Sequence, residues 1–111
     1  MAQAGLLQLY VPRAIGGPEI DPITAFLAVE ELTKLDGSVG WCSFVASALS
    51  IYADWLPADL GRELFGQPID IRVAGSFRPT GHATADAGGF KIGGRWNYLS
   101  GLNHANWLFL N

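Results

Sequence analysis

A chain of 111 residues that is 50% hydrophobic, 12% aromatic and only 15% charged is neither a disordered tail nor a collagen-like repeat, and one compact domain of this length buries roughly two-thirds of its unfolded surface. The charged share lies below the roughly one quarter usual in soluble domains, which points to surface meant to be covered by another chain or by further sequence. Seven basic against 10 acidic residues give a net charge of -3 with no Lys/Arg cluster, which argues against a nucleic-acid partner, and a lone Cys42 excludes an internal disulfide or a cysteine zinc site.

From the N-terminus, Met1 to Tyr10 lacks the basic flank and cleavage site of a signal peptide. No apolar run approaches the ~20 residues of a spanning helix, so a soluble, cytoplasmic protein without a membrane partner is expected. Met1 to Leu9 reads as a short helical end, followed by an irregular loop enforced by Val11, Pro12, Gly16, Gly17 and Pro18. Asp21 then offers an N-cap oxygen and Pro22 suits the first helical position, predicting a helix to about Leu35 that Asp36-Gly37 stops. Its apolar side is Ile23, Phe26, Leu27, Val29 and Leu32. Ser38 is the predicted cap of a second helix, to about Tyr52. Its stripe of Trp41, Val45, Ala48, Leu49 and Tyr52 is expected to face a core. Gly40, Ser43, Ala46, Ser47 and Ser50 make its other side small enough for a neighbouring helix or a flat ligand, so this helix is expected to be buried nearly all round. A third helix follows Pro57 and ends at Phe65-Gly66, with the glycine expected in the left-handed conformation.

Beyond about Asp70 the pattern changes to strands. Ile71 to Phe77 is β-branched and aromatic, and Pro79 to Gly81 turns the chain. Ala83–Asp86 and Phe90–Ile92 flank Ala87-Gly88-Gly89 as an antiparallel hairpin. Trp107 to Leu110 is a further strand, apolar on both faces, expected to be left as an edge with unpaired backbone groups available to another chain.

No phosphate loop, H-E-x-x-H helix, nucleophile elbow or metal-ligand cluster occurs, so no metal site is predicted. His82 and His104 are expected in loops as surface or structural groups, Cys42 as a small buried hydrophobe, and Glu30-Glu31 on a solvent face. The most unusual stretch is Arg95 to Trp107, RWNYLSGLNHANW. Its composition leaves two readings open. It could be a platform on which a flat heterocycle lies, with the Ser100 hydroxyl at the ring edge, or an aromatic corner packed into an interface.

Across nearly its whole length the chain resembles flavin-dependent monooxygenases with the acyl-CoA dehydrogenase fold, the oxygenase components of two-component aromatic hydroxylases. The resemblance is carried, in order and at similar spacing, by LLQLYVPRAIGGPEIDP, VEELTKLDGSVGWC, VAGSFRPTG, ATADAGGFKIGGRW and YLSGLNHANWLF. It implies an α+β fold in which residues 1–68 are part of an N-terminal helical domain and residues 69–111 open an antiparallel β-domain. It also implies an internal fragment, without the opening helices or the C-terminal four-helix bundle. The implied cofactor is reduced flavin, FMN or FAD, supplied by a flavin reductase partner; it reacts with oxygen to a hydroperoxide that hydroxylates an aromatic substrate. By position, Ser100 matches the serine at the reactive edge of the flavin ring. Trp96, Asn97 and Tyr98 lie in the segment bordering that ring, Ser76, Phe77 and Thr80 match the turn that approaches flavin or substrate, and Trp41 lines the pocket.

Phe77-Arg78-Pro79 and Trp96-Asn97-Tyr98 stand where the dehydrogenase branch has Thr-Glu-Pro and Trp-Ile-Thr, which favours hydroxylation over thioester desaturation. An acyl-CoA dehydrogenase-like desaturase and a catalytically inactive remnant or interaction module remain as alternatives. Because the bundle and partner subunits supply much of the flavin site in such proteins, these residues alone are expected to be inactive. The uncovered apolar faces predict a homo-oligomer.

Overall fold

Asp21 opens the first helix, α1 (Pro22–Leu35), by accepting hydrogen bonds from the amides of Ile23 and Thr24 at 3.1 and 3.0 Å. That satisfies two of the amides that a helix start leaves unpaired. At the other end Asp36 takes an extended backbone, and its own amide closes α1 on the Leu32 carbonyl. Its carboxylate caps α2 (Gly37–Ser50) through the amides of Ser38 and Val39. Asp36, not Ser38, is therefore the cap; a carboxylate is favoured over a hydroxyl where the helix dipole is positive. α2 stops at Ser50, short of the expected Tyr52, and tightens into a 3-10 turn over Ile51–Trp55. α3 (Ala58–Phe65) follows Pro57 as expected.

The computed structural model describes residues 1–66 and 70–111, and in it the small side of α2 takes a neighbouring helix as expected, whereas the large apolar stripe is only partly covered. Gly40, Ser43, Ala46, Ser47 and Ser50 are buried, whereas Trp41 is 56% exposed; from the apolar stripe only Leu49 is fully buried. Close approach on the small side explains this. α1 crosses at Gly40, where a Cβ would overlap Thr33 Oγ1 and stand 2.8 Å from the Thr33 Cα. Ser43 and Ser47 both donate to the Leu6 carbonyl, and Ser50 donates to that of Ser47. Large side chains do not fit in such a seam, so they lie on the remaining side. For the same reason α1 buries only Ala25, and its expected apolar side stays outside, with Phe26 65% exposed and Ile23 and Leu27 also exposed.

The core gathers Val11, Ile15, Ala53, Phe65 and Ile71, with Leu56, Leu64 and Val73 packed against them. Met1–Leu9 holds only a 3-10 turn, Ala2–Ala4, and the Gln8 amide donates to the Ile71 carbonyl at 2.8 Å. Gly66 corrects another expectation. It is extended (φ -71°), not left-handed, and is glycine because a Cβ there would overlap the Arg62 carbonyl oxygen.

β1 (Val73–Ser76), β2 (Gly81–Asp86), β3 (Gly89–Gly94) and β4 (Trp107–Leu110) complete an α+β chain. β2 and β3 form the expected antiparallel hairpin, closed by Gly88 at φ +80°. His82 lies within β2 and not in a loop, while His104 sits in a 3-10 turn, Leu102–His104. β4 runs parallel to β1, with Val73 opposite Trp107 and Ser76 opposite Leu110, and in this two-stranded sheet its other side is an edge, as expected. The hairpin forms the crossover that a parallel pair requires. Two asparagines hold the register. Asn106 accepts from the Arg72 amide and donates to the Asp70 carbonyl, both at 2.7 Å, and Asn111 donates to the Phe77 carbonyl at the far end. Glu30 and Glu31 face solvent and pair with Lys34. Among the described residues no helix is long and apolar enough to cross a membrane. The expected boundary at residues 68/69 lies outside the described residues.

Candidate functional site

α2 packs against β1, and the contact is tight: a Cβ on Gly75 would stand 3.0 Å from Leu49 Cδ1. Past that contact the two elements diverge and leave a cavity of about 390 Å³. From α2 come Trp41, Phe44, Val45 and Ala48; from the end of β1 and the turn after it come Ser76, Phe77 and Arg78; from the loop after β3 come Tyr98 and Ser100. Its volume falls within the roughly 300–1,000 Å³ of small-molecule sites, and its lining is mainly apolar with a few polar groups.

One side of the cavity is bridged by a bond between distant segments. Trp41 Nε1 donates to Ser100 Oγ at 3.0 Å, joining α2 to the Tyr98–Gly101 loop. An indole only donates, so the serine oxygen acts as acceptor here and its own proton remains available to a neighbouring acceptor. The buried Ser76 Oγ accepts from the Arg78 amide at 3.3 Å, which fixes the turn after β1. The Arg78 guanidinium carbon lies 4.9 Å from the centroid of the Tyr98 ring, a cation–π distance. Tyr98 itself has φ +62°, an uncommon conformation for a residue with a side chain. Phe77 is braced by Phe109 and Tyr52, which stack at 4.3 Å.

Of the residues expected at the site, Trp41, Ser76, Phe77, Tyr98 and Ser100 line this one cavity. Thr80, Trp96 and Asn97 do not. Thr80 Oγ1 donates to the Arg95 carbonyl at 2.9 Å and braces the base of the hairpin. The Trp96 indole covers the Gly81–Gly94 pair and donates to the Asn111 carbonyl at 2.8 Å, while Asn97 is exposed. Phe44 and Arg78 were not anticipated. Phe44 stands one helical turn beyond Trp41, 5.7 Å between ring centroids, and Arg78 lies inside the SFRPTG turn already singled out.

Ser100 also borders a second, smaller cavity of about 200 Å³ with Cys42, Ala46, Arg72 and His104. Cys42 is thus half-buried at a cavity wall and not sealed in the core. Among the described residues no group of three or more His, Cys, Asp or Glu side chains could hold a metal.

Residues 1–59 match the family model described as acyl-CoA dehydrogenase, N-terminal domain. The chain belongs to this acyl-CoA dehydrogenase N-terminal domain family. Among its curated relatives is the flavin-dependent monooxygenase oxygenase subunit HsaA of Rhodococcus jostii, 27% identical over 99% of this chain and 29% of that protein. An indole-3-acetate monooxygenase of Pseudomonas putida is 38% identical over 87% of this chain and 25% of that protein. The crystal structure of a 3-HSA hydroxylase from Rhodococcus superposes with a TM-score of 0.82 at 28% identity, covering 96% of this chain and 27% of that one. The acyl-CoA dehydrogenase-like family member therefore spans about a quarter of the proteins it matches, and these are named as monooxygenases or hydroxylases.

Proposed function

We propose that this chain is part of a flavin-dependent monooxygenase that uses reduced flavin, FMN or FAD, and dioxygen to hydroxylate an aromatic substrate. The observation that carries this reading is the Trp41–Ser100 bond, which bridges a ligand-sized, aromatic-walled cavity between α2 and the loop after β3. Both site residues came from separate halves of the sequence, and they meet. Reduced flavin, delivered by a separate reductase, supplies the electrons with which oxygen is activated and one oxygen atom placed on the ring. The lining suits such a group: the planar faces of Trp41 and Tyr98, two serine hydroxyls and few competing charges.

In this reading Trp41 holds Ser100 so that its hydroxyl proton points to an acceptor in the cavity, and Ser100 is the catalytic residue. Ser76 positions the turn carrying Phe77. Phe44, Val45 and Phe77 exclude water from the ring's surroundings, which strengthens every hydrogen bond made there. Thr80 and Trp96 act through the hairpin, and Asn97 borders the cofactor only if that loop moves. Residues 1–68 serve as the helical portion and 69–111 as the β portion of a cytoplasmic homo-oligomer, in which further surface covers Ile23, Phe26 and Leu27.

Flavin titration tests the proposal. The purified chain should bind reduced or oxidised flavin with saturable quenching, and Ser100→Ala in the oxygenase should disturb oxygen chemistry more than flavin affinity. Absence of any saturable change would favour the remnant reading. The match to the acyl-CoA dehydrogenase family model favours a second reading, a desaturase with bound FAD. Reduction of added flavin by an acyl-CoA without any reductase would establish it instead.

A further inference from the structure

We infer that Arg78 selects aromatic substrates that carry a carboxylate, an inference that rests on the cavity being the substrate site proposed above. The guanidinium stands at the edge of a cavity whose other walls are mostly apolar rings and methyl groups. The ion pairs among the described residues involve Lys34, Arg62 and Arg72, and none involves Arg78. Arg78 is exposed, and one side-chain contact places its head. Its amide is held by Ser76 Oγ, the following Pro79 restricts its backbone to extended conformations, and its head lies 4.9 Å from the centroid of the Tyr98 ring. Tyr98 holds φ +62°, so the backbones beneath both partners are defined and the stack itself places the arginine head.

A planar, pre-positioned guanidinium beside an apolar ring pocket matches a ligand with an aryl group at one end and a planar anion at the other. Ring and anion must both fit beside the one cavity. That favours an aromatic acid with a short side chain over the phosphate of a flavin, which stands a ribityl chain away from its ring.

The test is binding of phenylacetate and phenylacetamide to the chain, by calorimetry and tryptophan quenching, beside FMN and riboflavin. Phenylacetate should bind at least tenfold more tightly than phenylacetamide, or about 1.4 kcal/mol. Arg78→Gln, with unchanged circular dichroism, should abolish that preference by weakening phenylacetate far more than phenylacetamide. Arg78→Lys should restore only part of it, because a point charge lacks the planar fork. Equal affinities for acid and amide, with flavin still bound, would overturn the inference and leave the monooxygenase reading standing. Selective weakening of FMN relative to riboflavin in Arg78→Gln, with the acid preference intact, would overturn it by giving the arginine to the cofactor. No saturable binding of any aromatic or flavin would overturn both.

Discussion

The same substitution at two helical glycines should move stability in opposite directions, because only one of them lies in the α1–α2 seam. Gly→Ala in a helix interior ordinarily gains about 1 kcal/mol. At Gly61, in α3, the new methyl would sit 3.4 Å from the Ala53 carbonyl oxygen and 3.5 Å from Ile15 Cδ1, ordinary contact distances, so most of that gain should survive. At Gly40 the methyl would overlap Thr33 Oγ1 and press on the Thr33 backbone at 2.8 Å. Thr33 Oγ1 does not swing aside freely, since it donates to the Val29 carbonyl at 2.8 Å. Overpacking of this kind costs about 1–3 kcal/mol, and contact with backbone places it near the top of that range. Subtracting the propensity gain leaves Gly40→Ala about 2 kcal/mol less stable. For a domain of this size that is a fall in Tm of roughly 8 °C, against a rise of roughly 2–4 °C for Gly61→Ala. Thermal and urea unfolding followed by circular dichroism measures both. If Gly40→Ala were as stable as the parent, or if both variants shifted the same way, the close-packed seam and the outward placement of Trp41 that follows from it would be wrong.

Hydrogen bonds from Thr24, and then from the Ile23 amide, hold the Asp21 carboxyl below its ordinary 3.8. The ionised cap thus contributes stability above that value and loses it as pH falls through the lowered one; urea midpoints measured down the acid range should show a step that Asp21→Asn flattens. Trp41→Phe keeps the ring but removes the donor to Ser100 Oγ, so flavin affinity should fall only modestly while oxygen chemistry in the oxygenase falls as it does in Ser100→Ala; a loss confined to affinity would show that the bond orients nothing. Gly81→Ala should expel the Trp96 indole, since a Cβ there overlaps the ring, and red-shift tryptophan emission as the bond to the Asn111 carbonyl is lost.

What could be read in the sequence was what local chemistry decides. Both ends of α1 were legible because Asp21-Pro22 and Asp36-Gly37 act within one turn, and the hairpin because Gly88 supplies the positive φ its turn needs. The sides of α2 were sorted correctly into small and large. The small side takes α1, as its residue sizes predict, because backbones come closest there; periodicity does not say that the large side would be left partly uncovered. The parallel β1–β4 pairing depends on Asn106 reaching Asp70 and Arg72, a distant match that no window along the chain contains. At the cavity, resemblance brought Trp41 and Ser100 to notice separately. That they bond to each other, and that Trp96 is occupied covering two glycines, are properties of the folded arrangement alone.

The pairing of β1 with β4 also imposes an order on vectorial synthesis. Helices α1 and α2 are complete, and able to dock through their glycine seam, well before Trp107 is translated. β1 must meanwhile wait with open edges while the hairpin is made, since loop closure over residues 77–106 precedes the contacts that reward it. The nascent protein therefore has its tryptophan-bearing helix in place early and acquires the opposite wall of the cavity only after the hairpin is made. That interval exposes an unpaired strand, and it is the stage at which a holdase chaperone would be of most use.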